Sequence, residues 1–175
     1  MDKFFTGLGI SLILFGCFLV YQRNNPDRIA FAKSDIQINE PVVTEQKNPN
    51  RISINSINVD LPIFKSTIKN KKWEVVDNGV SYLEDSVVPG QLGNSILYGH
   101  NWTNLLGNLI NIKTGDLIVI HYDDGSKNDF IVTLIQEVEP SNVSILENTN
   151  DKRITLYTCS GFLDSKRFVV VAILK

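Results

Sequence analysis

Only two cysteines and two histidines occur in the 175 residues. Two thiols are too few for a disulfide framework, and their places argue against pairing with each other, since Cys17 lies in an apolar segment and Cys159 near the far end. So few histidines and cysteines, widely separated, give no zinc-ligand spacing. Neither sign of charge is in excess: the formal net charge is −2, which gives no reason to expect a nucleic-acid partner. Carboxylates do gather at Asp123, Asp124 and Asp129 with Glu137 and Glu139, but their spacing is not that of an EF-hand loop. They read as solvated turn charges, with calcium the alternative, and no cofactor is expected.

Long, nearly continuous apolar runs are also scarce. The exception is Phe4–Tyr21, free of formal charge and just long enough to span a bilayer as a helix. Residues 1–21 read as a membrane anchor. A cleaved signal peptide is the competing reading, because Ala30-Phe31-Ala32 has the small-x-small spacing of a cleavage site, although charges separate it from the apolar run. A lipoprotein signal is a third, from Leu14-Phe15-Gly16-Cys17, with Phe15 bulky for that pattern and Phe18-Leu19-Val20 continuing the run. Lys3 and the terminal amine precede the helix while Arg23, Arg28 and Lys33 follow it, so counting positive charges does not favour a cytoplasmic N-terminus. Residues 22–50 are rich in Asn, Asp, Glu, Lys and Gln with three prolines, and read as a polar tether.

From Arg51 onward the pattern is one of strands. Apolar alternation or short apolar runs occur at Arg51–Ile57, Leu61–Lys65, Ser95–Tyr98, Asp116–Tyr122, Asp129–Val138, Arg153–Thr158 and Arg167–Leu174. Asp123-Asp124-Gly125-Ser126 reads as a hairpin turn, and Pro89-Gly90 and Glu139-Pro140 mark further turns. Trp73–Ser81 is ambiguous between helix and loop. The sum is an all-β domain over residues 51–175, a barrel or a sandwich.

The chemistry concentrates in the last two strands. Cys159 closes the first and Arg167 opens the second, across a short loop containing Ser160 and Gly161. A lone cysteine on a strand is more often packing than nucleophile, and an arginine at a strand start is usually a solvated charge. His100 changes the balance, because it follows Gly99 where the strand Ser95–Tyr98 ends. The three could act as nucleophile, acid/base and oxyanion stabiliser. His121, inside a strand pattern, reads as a half-exposed strand residue.

Thr155-Leu156-Tyr157-Thr158-Cys159 resembles the TLxTC signature of the sortases, cysteine transpeptidases of Gram-positive and related cell surfaces. Arg51-Ile52-Ser53-Ile54 through Val59-Asp60-Leu61-Pro62-Ile63 is similar to the family's first strand pair. Pro89-Gly90-Gln91-Leu92-Gly93-Asn94 leading to Gly99-His100-Asn101 resembles its histidine segment, and Leu109 to Asp116 its turn into the central hairpin. The resemblance implies a closed eight-stranded β-barrel with short helices, a cleft at one end, and a single-pass N-terminal helix holding the catalytic domain outside the cell membrane. It also implies roles: Cys159 as nucleophile, His100 as acid/base, Arg167 at the oxyanion, with Thr158 and Asn101 toward the bound substrate. The implied substrates are surface proteins carrying an LPxTG-like sorting motif, and the implied acceptor is an amine such as a peptidoglycan precursor. Pilus-building members often carry an aspartate-proline-aromatic lid and a second hydrophobic segment at the C-terminus. Asn25-Pro26-Asp27 lacks the aromatic and the sequence given stops at Lys175, so that subtype is disfavoured and none is assigned. Two alternatives stay open: a catalytically silent β-barrel binding module and a cysteine hydrolase that uses no amine acceptor.

Overall fold

The computed structural model describes residues 2–23, 25, 28–31, 47–69 and 72–175. Helix α1 (Asp2–Arg23) has 22 residues, about 33 Å at the rise of an α-helix. Its Phe5–Gln22 window has a mean hydropathy of 1.8 and none of it is buried against the rest of the protein. That is enough to cross a bilayer, and a signal sequence near an N-terminus has the same features.

The domain begins with β1 (Pro49–Ile54), slightly before the expected start, and β2 (Val59–Ser66). The expected strand to Ile57 ends earlier, because Asn55–Ile57 form a 3-10 turn and Asn58 takes a left-handed conformation, φ 54°. Asn tolerates that region, and the reversal pairs Ile54 with Val59. A two-stranded flap, β3 (Ile68–Lys69) and β4 (Lys72–Trp73), leads to β5 (Val80–Leu83) and β6 (Gly93–Tyr98). Then come β7 (Leu117–Tyr122), β8 (Lys127–Val138), β9 (Lys152–Ser160) and β10 (Lys166–Leu174). The hairpin turn between β7 and β8 falls at Asp123–Ser126 as expected, with Gly125 at φ 80°.

Eight of these strands close into a barrel in the order β1-β2-β5-β6-β9-β10-β8-β7. Most neighbours are antiparallel, while β2–β5 and β6–β9 are parallel. Neither flap strand, β3 or β4, is foreseen, and the one barrel strand not foreseen is β5, whose start falls in the ambiguous stretch: Trp73 sits on β4, a loop follows, and Val80 opens the strand. All four residues of β5 are buried. With both faces covered it shows no alternation to read.

Both faces of β9 and β10 are buried as well, which produces two apolar layers. Ile154, Leu156, Val170 and Ala172 point into the barrel with Ile52, Ile54, Leu97, Ile120 and Phe130. Tyr157, Cys159, Val169 and Val171 point outward, into a second cluster with Trp73, Tyr98, Val138 and Leu146. Two of the candidate site residues, Cys159 and its strand partner Arg167, stand on this outer face.

Candidate active site

Register brings the three sequence-predicted residues together. In the antiparallel pair β9–β10, Cys159 lies directly opposite Arg167, and opposed residues send their side chains to the same face. In the parallel pair β6–β9, Tyr98 lies beside Tyr157, their rings stacked at 5.4 Å and 16°. Two residues further along each chain, one strand period, lead from Tyr157 to Cys159 and from Tyr98 to His100. The loop start is fastened there: Gly99 N donates to Tyr157 O at 3.3 Å and Thr158 Oγ1 to Gly99 O at 2.7 Å.

Cys159 is 7% exposed, and its Sγ donates to the carbonyl of Arg28 at 3.3 Å. Burial pushes the thiol up to about 11, with the charge of Arg167 the largest opposing influence. Arg167 is 3% exposed and densely bonded. Its Nη1 donates to Asp164 O and Lys166 O, its Nε to Ile29 O at 3.1 Å and its Nη2 to Ala30 O at 2.6 Å.

His100 is buried and stacks on Trp102, centroids 4.4 Å apart and planes 7° apart. Its Nε2 comes within 3.2 Å of Asp77 Oδ1, an electrostatic contact without hydrogen-bond alignment. Burial holds the imidazole below its ordinary value, while the charges of Asp77 and Asp164 work the other way. Thiol and imidazole are thus both favoured in their neutral forms in this arrangement.

The two expected substrate contacts are placed differently. Thr158 is buried, on the barrel-facing side of β9, with its hydroxyl donating to Gly99. Asn101 is exposed, and its Nδ2 donates to Asp164 Oδ1 at 3.1 Å. His121 stands on β7 opposite Arg51 and contacts Ser53 Oγ at 3.2 Å, with β8 between its strand and β10. Among the described residues no group of three or more His, Cys, Asp or Glu is placed to hold a metal ion.

Other parts of the site carry little signal in the sequence. Asp164 sits in the loop between β9 and β10 with φ 58°, beside Leu163 at φ 51°, and its carboxylate pairs with Arg28 at 3.1 Å. Such left-handed conformations are uncommon outside glycine. The segment Arg28–Phe31, inside the expected tether, packs on the outer face.

Fold and register together define a closed β-barrel that sets a thiol and a guanidinium opposite each other on neighbouring strands, with an imidazole just past the end of the strand on the other side. The family model for the sortase domain matches residues 52–175, and the chain belongs to the sortase family. Sortase A of Bacillus anthracis is 34% identical over 124 residues, 69% of this chain and 56% of that protein. Among solved structures, a lid mutant of sortase A from Corynebacterium diphtheriae has a TM-score of 0.64 at 28% identity, covering 74% of this chain and 72% of that one. Sortase A of Listeria monocytogenes has a TM-score of 0.59 at 29% identity, covering 72% and 86%. The chain spans about half the length of the curated relatives it matches.

Proposed function

We propose that the protein is a membrane-anchored cysteine transpeptidase that cleaves an LPxTG-like sorting motif and transfers the cleaved protein to an amine of the cell wall or surface. In this reading residues 1–21 anchor the chain with the N-terminus inside, residues 22–50 connect, and residues 51–175 work outside the membrane. The observation that carries it is the register that sets Cys159 against Arg167 and extends to His100 through the stacked tyrosines.

The chemistry is two acyl transfers. A proton passes from Cys159 to His100, and the sulfur bonds to the carbonyl carbon of the motif's threonine. Negative charge collects on the former carbonyl oxygen, where the planar, permanently charged Arg167 can donate to it. The C–N bond to glycine then breaks, and imidazolium His100 gives its proton to the departing nitrogen, leaving a thioester. An incoming amine attacks that thioester, neutral His100 accepts its proton, and the C–S bond breaks to restore the thiolate. Because burial disfavours the thiolate, the charge of Arg167 is what makes a reactive fraction accessible.

The test is the full chain in detergent micelles with a library of LPxTG-like peptides, with and without amine acceptors, followed by intact mass. An adduct on Cys159 that an amine converts into ligated peptide is the expected result. Adduct released only to water would favour the hydrolase, and a folded, reduced protein forming no adduct would favour the binding module.

A further inference from the structure

Proton transfer from Cys159 to His100 creates two charges between buried side chains, and each needs an opposite charge close by. Arg167, opposite Cys159 on β10, serves the thiolate. Two carboxylates bear on the imidazole, those of Asp77 and Asp164. Asp164 is already shared between Arg28 and Asn101, each at 3.1 Å. Asp77 makes no other ion pair among the described residues. Its Oδ1 lies 3.2 Å from His100 Nε2, a ring nitrogen that is covered and has no hydrogen-bond partner.

The backbone is built to bring these two groups together. Asp77 lies in the loop between β4 and β5, whose main chain is tied down just before it: Tyr98 Oη donates to Glu74 O, and Val76 N to Ser81 Oγ at 3.1 Å. Gly79 then packs so closely on β2 that a Cβ there would come within 2.5 Å of Pro62 O. Gly99, just before His100, meets that loop in turn, since an added Cβ would lie 3.4 Å from Gly79 O and 3.1 Å from Leu106 Cδ1. Two residues without side chains thus let the two loops touch. Beyond His100, Leu105 N and Gly107 N both donate to Trp102 O at 2.9 Å, and Leu106 N to His100 O at 3.1 Å. That turn holds the indole flat on the imidazole. The ring therefore has its face against Trp102 and its Nε2 edge toward Asp77.

We propose that Asp77 is a positioning residue: it pairs with His100 Nε2, supplies the counter-charge of the imidazolium, and leaves Nδ1 as the nitrogen that takes and returns the proton, while Trp102 sets the plane of the ring. In the neutral imidazole Nε2–H donates to the carboxylate; when Nδ1 takes the thiol proton the donor becomes charged and the bond strengthens. The Asp77 side chain is 79% exposed, so no packing opposes the rotation that aligns it. Solvent screens the pair for the same reason, and its effect is modest. The acyl transfers it serves rest on the transpeptidase reading; the pairing itself does not.

The experiment uses the full chain in detergent micelles with ring-labelled histidine and His121→Gln, so that His100 is the sole imidazole. Its ring resonances, followed against pH by NMR, give the midpoint of its titration, and circular dichroism checks the fold. Asp77→Asn keeps the size and removes the charge, and should lower the midpoint by about half a pH unit, the scale of a partly screened ion pair. Asp77→Glu should restore most of that. In a Trp102→Leu background, where the ring is free to turn, Asp77→Asn should move the midpoint less than half as far. In peptide turnover, Asp77→Asn should lower the plateau between the two titrations about threefold, which is half a unit as a ratio, and shift the acid limb down by the same amount. A merely structural aspartate would alter stability or KM and leave the midpoint in place. A midpoint within about 0.2 of the parent in folded Asp77→Asn would overturn the proposal, whether or not the parent ligates peptides. The expected shift in a protein that forms no adduct with any peptide would keep the pairing and reject the transpeptidase. An equal shift in both backgrounds would overturn the part given to Trp102.

Discussion

Strands β9 and β10 serve two apolar layers that differ in kind. The inner layer is mostly aliphatic and is closed by the barrel itself, with Ile52, Ile54, Leu97, Leu156 and Val170 all at 0% exposure. The outer layer is built from Trp73, Tyr98, Tyr157 and Cys159, and separate pieces of chain cover it: the β3–β4 flap, the turn at Val143–Leu146 and the segment Arg28–Phe31. Tyr157 and Trp73 each bury a polar atom without a hydrogen-bond partner there, which costs on the order of 1–3 kcal/mol apiece. A strand's period of two thus separates the barrel core from the face that carries the candidate site. Leu156 faces in, and Tyr157 and Cys159 face out.

Breaking the outer layer at its thiol should have the largest effect. Cys159→Ala should abolish the thioester and all ligated product while circular dichroism shows a folded barrel, because no atom of the inner layer is touched. Arg167→Lys keeps the charge and loses the planar fork that serves several carbonyls at once. Turnover should fall about 10²–10³-fold, the usual loss for one oxyanion donor, and parental turnover would refute that role for Arg167.

The inner layer should respond the other way. Leu156→Ala removes a fully buried side chain and should cost about 2–5 kcal/mol, read from urea unfolding. In the fraction that remains folded, alkylation of Cys159 should match the parent. A large change there with little loss of stability would mean that the two layers are not separable.

Much of this division could be read from the sequence, and the gaps have physical causes. Arg153–Thr158 and Arg167–Leu174 declared themselves by apolar content and alternation, and the grouping of His100, Cys159 and Arg167 followed from where strands end. Strand β5 hid because both of its faces are covered and its four residues do not alternate. Asp164 hid because its importance lies in a left-handed loop that nothing in Phe162-Leu163-Asp164 announces. The segment Arg28–Phe31 hid because four residues within a polar stretch show no periodicity. Only the tertiary partners, Tyr157 and Arg167, give Phe31 and the neighbouring carbonyls a place to go.

Titration offers a gentler way to separate the layers, since the buried inner cluster holds no cysteine or histidine among the described residues, and its tyrosines, Tyr82 and Tyr122, are raised by burial from an ordinary value already above that of the thiol. A buried thiol raised from 9.0 to about 11 means that the folded protein holds this proton more tightly than the unfolded chain does. Its contribution is fully present below the unfolded value and is lost as pH rises through the folded one, about 2–3 kcal/mol in all. Tyr98 and Tyr157, like Tyr82 and Tyr122 in the inner layer, are raised in the same direction by burial, but an ordinary tyrosine is half titrated only at 10.0, so most of their loss falls above that pH. Urea unfolding followed upward from pH 8 should therefore show stability beginning to fall near 9, with Cys159→Ala making the decline between about 9 and 10 clearly shallower and leaving the steeper tyrosine loss above it. At the acid end the sign reverses: His100 is held below 6.5, so the neutral form is favoured by folding and its contribution fades as pH drops through that value. If Cys159→Ala declined between 9 and 10 as steeply as the parent, the thiol would not be buried in solution, and the covered outer face would be the part of the comparison to give up.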